Sequence, residues 1–193
     1  MITHITGKLV EKTPTDVVIE CNGVGYFINI SLHTFSQIPV SENIKLFTHL
    51  QVREDAHILY GFSGVAEREI FRLLLSVSGI GASIARTMLS SLSPDQVTDA
   101  IASEDVATIQ SIKGIGSKTA QRVILDLKDK ILKVYGLSGI SANSSNTNKN
   151  EALSALETLG FARKQIEKVC DKIVMDDPLS SVETIIKQAL KNL

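Results

Sequence analysis

The stretch "IKGIGSKTAQRVI", residues 112–124, decides the reading of this chain, because "VSGIGASIARTML", residues 77–89, superposes on it without gaps. Gly79 matches Gly114, Ile80 matches Ile115, Gly81 matches Gly116 and Ala85 matches Ala120. Each copy reads helix, G-I-G turn, helix. Glycines in such a turn can take positive φ and leave no side chain between the backbone and an approaching anion. The unpaired N–H groups at the start of the following helix, with the helix dipole behind them, favour negative charge there. The isoleucine between the glycines can point inward and anchor the hairpin. Lys113, Lys118 and Arg122 gather around the second turn, and Ser117 opens its helix. Lys118 and Arg122, one helical turn apart, share a helix face.

The anion is not that of a small nucleotide. An ATP loop reads G-x-x-x-x-G-K-[ST]. Setting Lys118 and Thr119 at its end puts Ser117 and Ile112 where glycines are required. The dinucleotide pattern G-x-G-x-x-G fails at Thr119, which stands in the third glycine position. Two turns related by a pseudo-twofold can instead grip two backbone phosphates on opposite strands of a duplex, contacts that position a protein without reading sequence. This doubled unit is the helix-hairpin-helix motif.

Outward from the repeat the chain is α+β. Before it, residues 1–63 read as five short strands: "HITGKLVEKT", "DVVIEC", "GYFINIS", "NIKLFTHLQV" and "AHILYGF", parted by turn formers at "TPTD", "CNGVG" and "RED". Five strands so spaced suggest an OB-fold barrel, with one helical turn in "SLHTFSQIP". Residues 64–137 are helical, with Ile70, Leu73, Leu74 and Val77 at helical spacing and Ser93-Pro94 as an N-cap and first helical residue. The Ser- and Asn-rich tract 138–150 reads as a flexible linker, too polar to offset its ordering entropy. Residues 151–193 regain helical periodicity as a three-helix domain.

Composition sets outer bounds. The 193 residues are 44% hydrophobic with a net charge of −1 and a mean hydropathy of +0.15, a globular balance that excludes histone-like non-specific binding. Residues 1–63 are net acidic and the cations cluster at the second turn, so any anion site is local. No apolar run approaches the ~20 residues of a membrane span. The opening "MITHITGKLVEK" lacks a signal-peptide core, so a cytoplasmic protein is expected. Cys21 and Cys170 read as reduced thiols, and neither a metal nor a cofactor is expected.

The adjacent carboxylates Glu54 and Asp55 sit at a hairpin tip between the last two strands. Carboxylates repel phosphates, so beside a DNA-binding repeat they are useful only where repulsion is. With that tip, "LFTHLQVREDAHILYGF", the doubled G-I-G hairpins, the polar tract and "LETLGF", the full chain resembles the RuvA family of Holliday junction branch-migration subunits. The resemblance implies a homotetramer holding an open four-way DNA junction on one face, in one or two tetrameric layers. It implies a role in recombination and DNA repair, including the SOS response to DNA damage. Glu54 and Asp55 would form a central acidic pin that keeps strands apart. Gly79, Gly81, Gly114 and Gly116 would supply the hairpin backbones, and Lys118 and Arg122 the phosphate cations. The tail would dock on the hexameric ATPase RuvB, with the RuvC resolvase a further partner and no catalytic site in the chain itself. Leu156, Leu159, Phe161, Ile185, Ile186 and Leu190 are mostly tail core, with an exposed subset as the expected motor-binding surface. One departure stands out. Where family members often carry a lysine in the first hairpin, this chain has Ser83, and Arg86 one turn along is the expected substitute.

Two other classes stay open at this level. A helix-hairpin-helix repair enzyme would use carboxylates such as Asp126 and Asp129, though both read better as surface charges. A passive DNA-repair adaptor would use the repeat only as scaffold. His4, His33, His49 and His57 fall in or near strands, and a zinc site among them has little support.

Overall fold

The computed structural model describes residues 1–39, 42–135, 144–177 and 180–193. Strands β1 (His4–Lys12), β2 (Asp16–Cys21), β3 (Val24–Ile30), β4 (Asn43–Val52) and β5 (His57–Phe62) close into a barrel in the order β1-β2-β3-β5-β4. Every pair is antiparallel except β3 with β5, which is the expected five-stranded OB-type closure. Alternation drives it. Val17 and Ile19 on β2, Ile28 and Ile30 on β3, and Ile44 and Leu46 on β4 all turn inward with a period of two. Burying each such side chain stabilises the barrel by about 1.5–3 kcal/mol. The short helix α1 (Leu32–Gln37) lies between β3 and β4, capped by Ser31, in the segment where a helical turn is expected.

Helices α2 (Val65–Leu75), α3 (Ala82–Ser91), α4 (Pro94–Ala102), α5 (Val106–Gln110) and α6 (Ser117–Tyr135) follow. Helix α4 starts at Ser93 and Pro94 as its sequence predicts, with a complete capping box through Gln96. Phe71, Leu74, Met88, Leu89, Ile101, Ile109 and Leu127 form the centre of the helical core. That core does not stop at the barrel. Tyr60 and Phe62 of β5 reach into it, with ring centroids 5.1 and 4.9 Å from Phe71. Barrel and helices therefore fold as one compact unit, Met1–Leu137.

A buried carboxylate fastens the same seam. Glu67 of α2 is 1% exposed and accepts hydrogen bonds from the hydroxyls of Ser31, next to α1, and Thr34 of α1, the latter at 2.6 Å. Thr34 Oγ1 in turn accepts from the Ser63 amide at 3.1 Å. Hydroxyl donors replace the water a buried charge would otherwise lose.

The second compact unit, Ser138–Leu193, holds α7 (Ser144–Thr158), α8 (Arg163–Asp176) and α9 (Val182–Asn192) around Leu153, Leu156, Ile166, Cys170, Ile173 and Ile185. Of the tract read as linker, residues 144–150 belong to α7, and residues 138–143 lie outside the described ones. Partners in the tail explain the added order. Lys149 pairs with Asp171, and Asn148 Nδ2 donates to the Ser180 carbonyl at 3.1 Å.

Candidate nucleic-acid interface

The duplicated sequence folds into duplicated geometry. Gly79, between α2 and α3, and Gly114, between α5 and α6, both take φ +95°. In the first turn the Ile80 amide donates to the Val77 carbonyl at 3.1 Å, and in the second the Ile115 amide donates to the Ile112 carbonyl at 3.0 Å. Ile80 and Ile115 are 5% and 6% exposed, so each turn is pinned to the core by the residue between its glycines. The copies also face each other reciprocally. A methyl group placed on Gly79 would lie 3.9 Å from Thr119 Cγ2, and one on Gly114 would lie 3.8 Å from Ile84 Cγ1. Ile84 and Thr119 are equivalent positions of the repeat, as Gly79 and Gly114 are, so a pseudo-twofold axis runs between the hairpins.

The helices after these turns begin open. Gly81 stands at the N-cap of α3 with no side chain to accept from the first-turn amides. Gly116 stands at the same place before α6, where the Ala120 amide returns to its carbonyl at 2.9 Å just as Ala85 returns to Gly81. Elsewhere the chain caps its helices with side chains: Ser31, Ser93, Asp105 and Ser181 each accept from a first-turn amide. Gly64 and Ala162 also leave helices uncapped, so an open start is necessary for an anion site and not sufficient. Both hairpin glycines are exposed, with open space where a side chain would be.

The charged side chains are distributed unequally. Lys113, Ser117, Lys118 and Arg122 are all exposed around the second turn. Arg122 leans across the axis and donates from Nη1 to the carbonyl of Ser78, in the first turn, at 3.2 Å. On the first hairpin Ser83 is exposed at the start of α3. Arg86, expected to substitute there for a missing cation, points elsewhere. Its Nη1 donates to Asn29 Oδ1 at 2.8 Å and to the Thr15 carbonyl at 3.3 Å, clamping α3 to the barrel. No pattern in the sequence marks Asn29 and Thr15 as its acceptors, because the contact depends on how the fold brings the Arg86 side chain to β3 and the turn before β2.

The acidic tip lies where the hairpin is expected. Residues 53–56 join β4 to β5, and the Arg53 amide donates to the Ala56 carbonyl at 2.8 Å. Glu54 and Asp55 are exposed, and Asp55 is paired with Arg53 at 3.2 Å. In the tail, Leu156 and Ile185 are 0% and 1% exposed and belong to the core, whereas Leu159 and Leu190 are 61% and 45% exposed. Phe161 and Ile186 pack at the core's edge. Asp126 and Asp129 are exposed on α6, and among the described residues no three His, Cys, Asp or Glu side chains gather in a metal-sized group. No helix among the described residues is long and apolar enough to cross a membrane.

Three family profiles match the chain in sequence order: RuvA N terminal domain over residues 1–61, SAM-like helix-hairpin-helix tandem over 71–129, and RuvA, C-terminal domain over 147–193. The chain is 68% identical to the Holliday junction branch migration complex subunit RuvA of Christiangramia forsetii over 193 residues, all of both chains. It is 67% identical to the protein of the same name from Flavobacterium psychrophilum, again over the whole of both chains. The one from Cytophaga hutchinsonii is 50% identical over 197 aligned positions, 99% of each chain. Barrel, doubled hairpin and three-helix tail thus each fall under a matching profile, and the chain belongs to the RuvA family.

Proposed function

We propose that this chain is the DNA-binding subunit of a Holliday junction branch-migration complex. The observation that carries the reading is the reciprocal pair of G-I-G turns, with equal backbone angles and open helix starts side by side. Each turn presents amides to one phosphate of a duplex arm, and two turns related by a twofold suit the two strands of that arm. Lys113, Lys118 and Arg122 supply the neutralising charge, and Ser83 and Ser117 add hydroxyl donors. Such contacts carry no base information, so binding has little sequence preference and a steep salt dependence.

Four copies around a central axis bring four acidic tips to the crossover. There Glu54, together with Asp55 and tempered by Arg53, repels phosphates and holds the strands open. The tail, with Leu159 and Leu190 among its exposed apolar side chains, recruits the hexameric RuvB ATPase that moves the DNA. ATP hydrolysis belongs to that partner, the RuvC resolvase works on the same junction, and the complex acts in the cytoplasm.

The test is a gel-shift comparison of a four-way junction with a linear duplex of the same arm sequence in moderate salt. Wild type is run beside Glu54→Gln/Asp55→Asn and Lys118→Ala/Arg122→Ala. Junction preference should be strong in wild type, relaxed in the acidic-tip variant, and lost with overall affinity in the cation variant. Equal and weak binding by all three would leave the repeat as scaffold and remove the reading.

A further inference from the structure

The two hairpins are twins in backbone and unequal in charge. Lys113, Lys118 and Arg122 of the second copy correspond to Ser78, Ser83 and Thr87 of the first, so each cation is matched by a hydroxyl. Arg86, the cation within the first copy, has its guanidinium bonded to Asn29 and Thr15 of the barrel. Thr87 is turned back on its own helix, its hydroxyl donating to the Ser83 carbonyl at 2.9 Å. The first hairpin therefore offers amides and the Ser83 hydroxyl, while its one cation is committed through Nη1 to the barrel. Yet one cation does reach it. Arg122 Nη1 sits 3.2 Å from the Ser78 carbonyl, beside Gly79, while its guanidinium stays exposed.

We infer that the hairpins divide the cations across the twofold: Arg122, carried by the second repeat, neutralises the phosphate held by the first hairpin, and Lys118 serves the phosphate of the second. Physically this is the cheap arrangement. A guanidinium has five donors in a fork, so one can hold the Ser78 carbonyl while others face a phosphate oxygen. The same bond fixes the first turn before DNA arrives, so less ordering is needed on binding. Arg122 is then a phosphate contact for one strand and a strut between the repeats, and the pair grips the two strands of an arm unequally.

The inference rests on the hairpins being phosphate grips, and the test separates the two. It is a double-mutant cycle of Ser83→Lys with Arg122→Gln, read as the slope of log affinity against log salt on linear duplex and on a four-way junction. Glutamine keeps a donor for the Ser78 carbonyl and removes the charge, and Arg122→Ala serves as a second variant, with thermal melting of each protein as the folding control. Arg122→Gln should lower the slope by about 0.9 for each hairpin pair engaged. Ser83→Lys should restore that loss in the Arg122→Gln background and add little to wild type, where the phosphate is already neutralised. In a Lys118→Ala background Ser83→Lys should again add little, because Lys118 serves the other hairpin.

A full increment from Ser83→Lys in every background would place Arg122 on a different phosphate and overturn the inference. So would an unchanged slope in Arg122→Gln, which would leave Arg122 as a strut alone. If the cycle behaves as expected on duplex but wild type shows no junction preference, the junction reading fails and the shared cation stands. If wild type binds neither DNA, both fall.

Discussion

Placing a serine at Gly81 should make this protein more stable and a poorer DNA binder at the same time. Gly81 has φ −92° and ψ 169°, the extended geometry of an ordinary N-cap, and nothing lies within 4 Å of where its Cβ would be. Serine therefore fits without strain, and its Oγ can accept from a first-turn amide of α3 as Ser31, Ser93 and Ser181 do on their own helices. Serine caps better than glycine by a few tenths of a kcal/mol, and reduced freedom of the unfolded chain contributes about 0.4–1 kcal/mol. The expected gain is about 0.5–1.5 kcal/mol, read as a higher urea midpoint with unchanged slope. A phosphate must then displace the cap, so affinity per hairpin should fall by that capping energy, about a few tenths of a kcal/mol, or roughly 1.5- to 2-fold. Gly116→Ser at the other hairpin should behave alike, and the double variant should multiply the factors to about 2- to 4-fold. Fluorescence anisotropy of a labelled junction at fixed salt measures the loss. A stability gain with unchanged affinity would refute the view that the uncapped amides are the phosphate site. Lost affinity with no stability gain would show that the serine does not cap.

Gly79→Ala and Gly114→Ala should each destabilise by about 1–2 kcal/mol through the left-handed backbone alone, since the added methyl meets only ordinary contacts at 3.9 and 3.8 Å. Chemical denaturation that separated the two by much more than 1 kcal/mol would break the pseudo-twofold equivalence, on the scale of about 1–2 kcal/mol set by the backbone. Glu67→Ala strands the buried Ser31 and Thr34 hydroxyls and should cost about 3 kcal/mol in the same assay, with Glu67→Gln costing less because it keeps one acceptor oxygen. The pH dependence should come partly from His49. Its Nδ1 is buried without a partner among the described residues, and burial, then Arg72 and Arg68, hold the imidazole below its ordinary 6.5, with Glu69 opposing. The unfolded chain thus takes up this proton first as pH falls, so the His49 contribution is complete above about 6.5 and is lost progressively below it. His49→Gln should flatten that part of a stability-against-pH curve, and an unchanged curve would remove His49 from the account.

Much of this architecture is legible without coordinates because it is written in short-range patterns. Alternation in "DVVIEC" and "NIKLFTHLQV" marks β2 and β4 to the residue, since side chains on a pleated strand must alternate across a buried face. Ser93-Pro94 marks the start of α4, and the ungapped repeat marks both hairpin turns, because caps and left-handed glycines are local requirements. The polar tract was less legible. Residues 144–150 look like linker by composition, yet Asn148 and Lys149 find partners on the tail that composition does not register.

By itself, then, the sequence determined most of the elements, the duplication and the family, and with them the residue types at each turn. Tertiary structure alone decided which side chains remain available. Arg86 looks like a free cation until its Nη1 reaches Asn29 and the Thr15 carbonyl on the barrel. Arg122 belongs to the second repeat in sequence and touches the first in space. Glu67 looks like a solvated acid in the first turn of α2 until two hydroxyls bury it. Leu156 and Leu159 look alike in the tail until one is fully buried and the other left open. The physical reason is common to all four: a residue's local conformation depends on its chain neighbours, whereas its burial and partners depend on elements far away in sequence.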